Sequence, residues 1–137
     1  MMLLTPELHA ALRANDAAAA GVENYDPVPV VKFFNPCGAA TWLVTELQDD
    51  DDTLFGLADL GFGCPEMGYF SLNEIASVRL PFGLSIERDL FFEGLFPLSV
   101  YAEAARLHGS IMQAEQVLRQ IAMAIRNGDS ELPPPGG

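Results

Sequence analysis

Residues 41–89 constrain the fold more than any other part of the chain. They read TWLVTELQDDDDTLFGLADLGFGCPEMGYFSLNEIASVRLPFGLSIERD, a block that is acidic, interrupted by glycine and free of histidine. Two apolar runs, residues 40–47 and 54–60, flank the segment QDDDDT, and this arrangement predicts a hairpin of β-strands. With Leu47 opposite Leu54, Val44 is expected to face Leu57 and Trp42 to face Asp59. One face would carry Trp42, Val44, Phe55 and Leu57, with Glu46 and Asp59 at its ends. The other would carry Leu43, Leu47, Leu54 and Leu60. Both faces are largely apolar, so both are expected to be covered, although a slip of one residue would exchange them.

The flanking sequence supplies helices to do the covering. Thr5 and Pro6 suit the N-cap and first position of a helix over residues 5–15, with Leu8 and Leu12 on one face. An alanine-rich and then turn-rich loop is expected over residues 16–29, followed by a strand over residues 28–34, VPVVKFF. After the glycine-rich turn GFGCP come a short strand at residues 66–70 and a short helix at residues 71–78, where Ser71 and Glu74 form a capping box. Residues 85–92 alternate as a strand. A helix over residues 99–108 ends at Gly109. Residues 111–126 form an amphipathic helix whose stripe is Ile111, Ala114, Leu118, Ile121, Ala122 and Ile125. The class is therefore α+β: a single domain with a small, mostly antiparallel sheet, flanking helices and a C-terminal amphipathic helix.

Size and charge narrow the function. A chain of 137 residues supports one domain with a real core, and its apolar half sets it apart from disordered chains. The net charge is -12, and residues 49–98 hold ten of the carboxylates against two cations. Such a centre repels nucleic-acid backbones and anionic membranes and attracts basic proteins. Neither direct nucleic-acid binding nor membrane binding is expected. Cys37 and Cys64 are too few for a disulfide scaffold and read as reduced thiols of a cytoplasmic protein. The N-terminus lacks the pattern of a signal peptide, and no apolar run approaches the ~20 residues of a membrane span.

No catalytic template is complete. The tract Asp49, Asp50, Asp51 and Asp52 lacks the alternating spacing, glycine and distal glutamate of a calcium loop, and reads as a solvated hairpin turn. His9 and His108 have no paired spacing with the cysteines for zinc or for a nucleophilic couple. LGFGCP has neither the lysine of a phosphate loop nor the dinucleotide fingerprint. Glu46, Asp59, Glu66, Glu87 and Asp89 lie in or beside apolar strands. They must be exposed, paired or perturbed there. An ion pair of Arg88 with Asp59 or Glu46 is the structural expectation, and a carboxylate pair holding a divalent metal is the catalytic one. No cofactor and no metal site are expected.

The blocks VVKFFNPCGAATWLVTEL, LFGLADLGFGCPEMGYFSLNEIASV and LSIERDLFF, with the opening LLTPEL, resemble the signature blocks of a bacterial family known as domain of unknown function 2958. The resemblance covers roughly residues 3–106. It implies a cargo protein of plasmids and integrative elements, and carries no activity, cofactor or site residue with it. A family-like core over residues 1–109 is expected, with an added helix over 110–127 and a disordered tail over 128–137.

The leading expectation is a non-enzymatic, acidic interaction protein of a mobile element. It would bind a basic nucleic-acid-binding protein, in its sharpest form as a DNA mimic against host defence. The candidate binding residues are Asp49, Asp50, Asp51, Asp52, Asp59, Phe62, Glu66, Tyr69, Glu87 and Asp89, with Phe96 as a further exposed anchor. The alternatives are a metal-dependent hydrolase using Asp59, Glu66, Glu87 or Asp89, and an adaptor that forms a homodimer through residues 111–126.

Overall fold

The computed structural model describes residues 2–128. Its elements in chain order are α1 (Pro6–Ala19), β1 (Val31–Phe34), β2 (Thr41–Leu47), β3 (Thr53–Asp59), β4 (Glu66–Ser71), α2 (Leu72–Ser77), β5 (Glu87–Arg88), α3 (Leu98–His108) and α4 (Ile111–Arg126). The strands form one antiparallel sheet in the order β4-β3-β2-β1-β5. The fold is α+β, with helices against both faces of the sheet.

The hairpin of β2 and β3 organises the core, but its register corrects the expected one. Leu47 does pair with Leu54; beyond Glu46 a bulge at Thr45 shifts the ladder, so Val44 faces Gly56 and Trp42 faces Ala58. An extra residue in one strand reverses the side-chain alternation beyond it. Trp42, Val44, Leu47 and Leu54 therefore share one face, with Leu12, Val31, Phe33 and Ile86. Leu43, Leu57 and Phe55 lie on the other, with Leu98, Tyr101, Ile111 and Leu118. Gly56 is required by the shifted register: a Cβ there would sit 2.0 Å from the carbonyl oxygen of Leu43.

Helix α1 starts as expected, with Thr5 Oγ1 accepting from the Leu8 amide at 3.2 Å, and runs on to Ala19 where a loop was expected. The extension uses the alanines at 17–19, which favour helix. The helix holds Arg13 and Asn15 over β2. Asn15 Nδ2 donates to the carbonyl of the bulged Thr45 at 2.9 Å, and Arg13 donates to Leu47 O at 2.8 Å. The bulge carbonyl, lost to the ladder, is satisfied by the helix above it.

Residues 85–92 do not form a long strand. Only Glu87 and Arg88 pair with β1, and the Arg88 side chain donates to the carbonyls of Met2 and Leu3 at 2.8 and 2.9 Å. This also overturns the expected pairing of Arg88 with Asp59 or Glu46. The chain then crosses close to the segment before β1, where a Cβ on Gly94 would meet Pro29 O at 2.3 Å.

The last helix is only half committed to the core. Ile111, Ala114 and Leu118 are buried, whereas Ile121 and Ile125, the later members of the expected stripe, are exposed. The helix packs mainly on α3 and runs on past the buried cluster they share. Of the expected tail, residues 129–137 lie outside the described residues.

Candidate functional site

The acidic tract folds on itself. Asp50 accepts from the amides of Asp52 and Thr53 at 2.9 and 2.8 Å and from Thr53 Oγ1 at 2.6 Å. The Thr53 hydroxyl, followed by these amides, pulls its pKa down to about 2. Asp51 takes a left-handed conformation and meets His9 Nε2 at 3.0 Å. Asp52 accepts from Ser71 Oγ at 2.9 Å and from the Asn73 amide at 2.8 Å, which ties the hairpin turn to the start of α2. Asp49 is exposed. The tract is a hairpin turn, as expected, yet three of its four carboxylates are held by the chain's own donors.

Asp59 is not at the surface. It is 2 % exposed, and its two oxygens accept from the amides of Gly61 and Ile111, each at 2.9 Å. The second bond caps α4 from a strand 52 positions earlier in sequence. Glu66 is exposed at one end of β4, and Glu87 lies half-buried in β5 at the opposite edge of the sheet. Asp89 lies 3.6 Å from Lys32 Nζ, which also binds Glu115 at 2.7 Å. Of the four carboxylates expected of a hydrolase, Glu87 and Asp89 line one concavity at the β5 edge, while Asp59 and Glu66 lie toward β3 and β4 on the other side of the sheet. Among the described residues, no three His, Cys, Asp or Glu side chains are grouped to hold a metal ion. Cys37 and Cys64 are both exposed free thiols.

Of the expected apolar anchors, Phe62 is 83 % and Tyr69 66 % exposed, while Phe96 packs against the core and is withdrawn as an anchor. Tyr69 stands on β4, the edge strand, and its ring meets that of Phe55 on β3 at 5.0 Å and 58°. Met67, two residues away on the same face of the strand, is also exposed. The strand EMGYFS contains no lysine or proline, the residues that commonly protect a free edge.

Beside these side chains lies a groove of about 350 Å³, walled by the loop at Tyr25–Pro27, the start of α3, and Phe55 and Met67. Asp26 sits on one rim, where it accepts from the Ser99 amide at 3.0 Å and from the Ser99 hydroxyl. The bulge at Thr45 directs Glu46 into the same groove. Burial raises the Glu46 pKa; the Thr45 hydroxyl at 3.3 Å opposes this and the charge of Asp16 adds to it. None of the ion pairs among the described residues involves Glu46. An apolar groove with an uncompensated carboxylate suits a lysine or arginine side chain, whose stem packs on Phe55 and Met67 while its head meets Glu46. Glu46 stands out in the sequence as a carboxylate among apolar neighbours. Tyr25, Asp26 and Met67 carried no such signal, because only the packing of α3 against the sheet brings them to it.

A family model described as a protein of unknown function, DUF2958, matches residues 3–112 and so ends at the start of α4. No curated protein and no solved structure matches. Among the described residues, no helix is long and apolar enough to cross a membrane.

Proposed function

We propose a protein-binding role for this chain, which belongs to the family described as a protein of unknown function, DUF2958. Its partner is a basic protein, and the contact is the groove at Glu46 together with the open edge of β4. The observation that carries this reading is the half-buried Glu46 carboxylate, raised in pKa and without a cation among the described residues. A partner's lysine or arginine supplies the missing charge, and Tyr69 and Met67 supply exposed apolar area at the lip. The net charge of -12 steers such a partner toward the surface from a distance. Proteins that bind nucleic acid carry the required cations and are the favoured class. Because Asp50, Asp52 and Asp59 are occupied by internal donors, recognition rests on the groove rather than on a free array of carboxylates that imitates DNA. The bacterial mobile-element setting, which rests on the sequence resemblance, and a cytoplasmic location, which rests on reading Cys37 and Cys64 as reduced thiols, belong to the same proposal.

The test is retention of a basic protein from an extract of cells that carry the chain, washed at low and high salt. Wild type should retain a stoichiometric, salt-sensitive partner. Glu46→Gln and Tyr69→Ala should each lose it while keeping the wild-type circular dichroism. Retention by both variants rejects the groove.

Self-association through α4 is a second reading, supported by the exposed Ile121, Met123 and Ile125. Removing residues after Gly109 cannot test it, because Ile111, Ala114 and Leu118 are core residues. Ile121→Lys with Ile125→Lys is the suitable variant; a sedimentation mass that is monomeric before and after the change rejects the reading.

A further inference from the structure

A second concavity, of about 260 Å³, lies between the segment 89–95 and the outer half of α4, and shares no lining residue with the groove at Glu46. Its walls carry opposite charge. Asp89 and Glu93 stand on the segment side, and Arg119 and Arg126 on the helix side. These two arginines are two of only seven cations in the chain, yet neither joins an ion pair among the described residues. Glu115, deeper in the cleft, is neutralised by Lys32 at 2.7 Å, and the same ammonium lies 3.6 Å from Asp89, which leaves Glu93 as the segment carboxylate without a cation among the described residues. Tyr101 at the base accepts from the Leu95 amide at 3.0 Å, which fixes the segment against α3. Burial, followed by the nearby Glu115, raises the phenol pKa, so the hydroxyl stays protonated and able to donate. The rest of the lining is apolar, and Phe91 is 95 % exposed at the cleft.

A simple anion meets Glu93 as a like charge, and a simple cation meets Arg119 and Arg126. Only a guest bearing both charges compensates both walls. The volume lies just below the roughly 300–1,000 Å³ of pockets for drug-sized ligands, which limits the guest to a small metabolite. We propose that this cleft binds a zwitterion of the α-amino-acid type with an apolar side chain. Its carboxylate lies toward Arg119 and Arg126, its ammonium toward Glu93, and its side chain against Phe91 and Met123. Most of the helical wall lies beyond residue 112, where the family match ends, so the site belongs to the outer part of this chain.

Proton–nitrogen correlation spectra of the full chain test this proposal. The probes are L-phenylalanine, L-leucine and L-methionine at millimolar concentration, with 2-phenylethylamine and 3-phenylpropanoate as single-charge controls. At least one amino acid should shift the amides of residues 91–95 and 115–126 saturably. Each control should bind at least about ten-fold more weakly, since it forfeits a charged hydrogen bond. Arg119→Glu with Arg126→Glu, both at exposed positions, should abolish the shifts and leave the rest of the spectrum unchanged. The proposal is overturned if no amino acid shifts these amides, if a control binds as tightly, or if the shifts survive the double substitution.

Discussion

Asp59 and Glu46 are both carboxylates in the central hairpin, and their surroundings give them opposite roles. Asp59 is buried and fully committed to two backbone amides, so it serves the fold. Asp59→Ala leaves the Ile111 amide without its cap and should lower unfolding free energy by about 2 kcal/mol in urea titrations. Asp59→Asn, which keeps one acceptor oxygen, should lose less. Glu46 is half-buried without a cation among the described residues and costs stability when ionised. Its pKa is raised in the folded chain, so the folded state binds the proton more tightly than the unfolded one, and stability falls as pH rises from 4.5 through the raised value. Glu46→Gln should therefore melt slightly higher than wild type at neutral pH, and the two melting curves should converge below pH 4.5, where the wild-type carboxyl is protonated. A substitution that stabilises the chain while weakening partner binding marks a residue kept for function. The sequence exposed both residues as polar positions in apolar strands. It could not distinguish them, because the cap on α4 and the wall of the groove are supplied by segments remote in sequence.

At the scale of elements, the strands of the hairpin, the capping box at Ser71 and the stop at Gly109 were legible because each has a local signal: alternation, a polar cap, a left-handed glycine. The bulge at Thr45 was not. It depends on Asn15 binding the displaced carbonyl and on Gly56 admitting the Leu43 carbonyl, and neither contact is local. Helix α4 shows the same limit. Its periodicity runs the full length, but the surface it packs on ends near Leu118. The buried contact of Lys32 with Glu115 is what fastens this helix to β1, with side chains 17 % and 8 % exposed. Lys32→Met should cost about 3 kcal/mol because it strands a buried carboxylate, and adding Glu115→Leu should restore most of it. The measurement is a double-mutant cycle of urea unfolding. Additive losses would mean that the two residues do not act as a pair.

At the scale of the whole molecule, the charge of -12 is a field rather than a site. It sets how fast a basic partner arrives and how strongly salt slows it, whereas the groove sets which partner stays. Doubling ionic strength should therefore reduce the association rate in surface plasmon resonance far more than it raises the dissociation rate. Glu46→Gln should do the reverse. The net charge and its concentration in the centre were readable from composition alone. The place where charge and apolar area meet was not, since it is made by a bulge, an edge strand and a loop that only the fold assembles. The most direct test is site-specific photo-crosslinking in cell extract, with a benzophenone side chain placed at Tyr69 or, for comparison, at the exposed Leu107 on α3. The groove predicts a discrete adduct with a basic protein from position 69 and none from position 107. Equal adducts from both positions, or none from position 69, would contradict it.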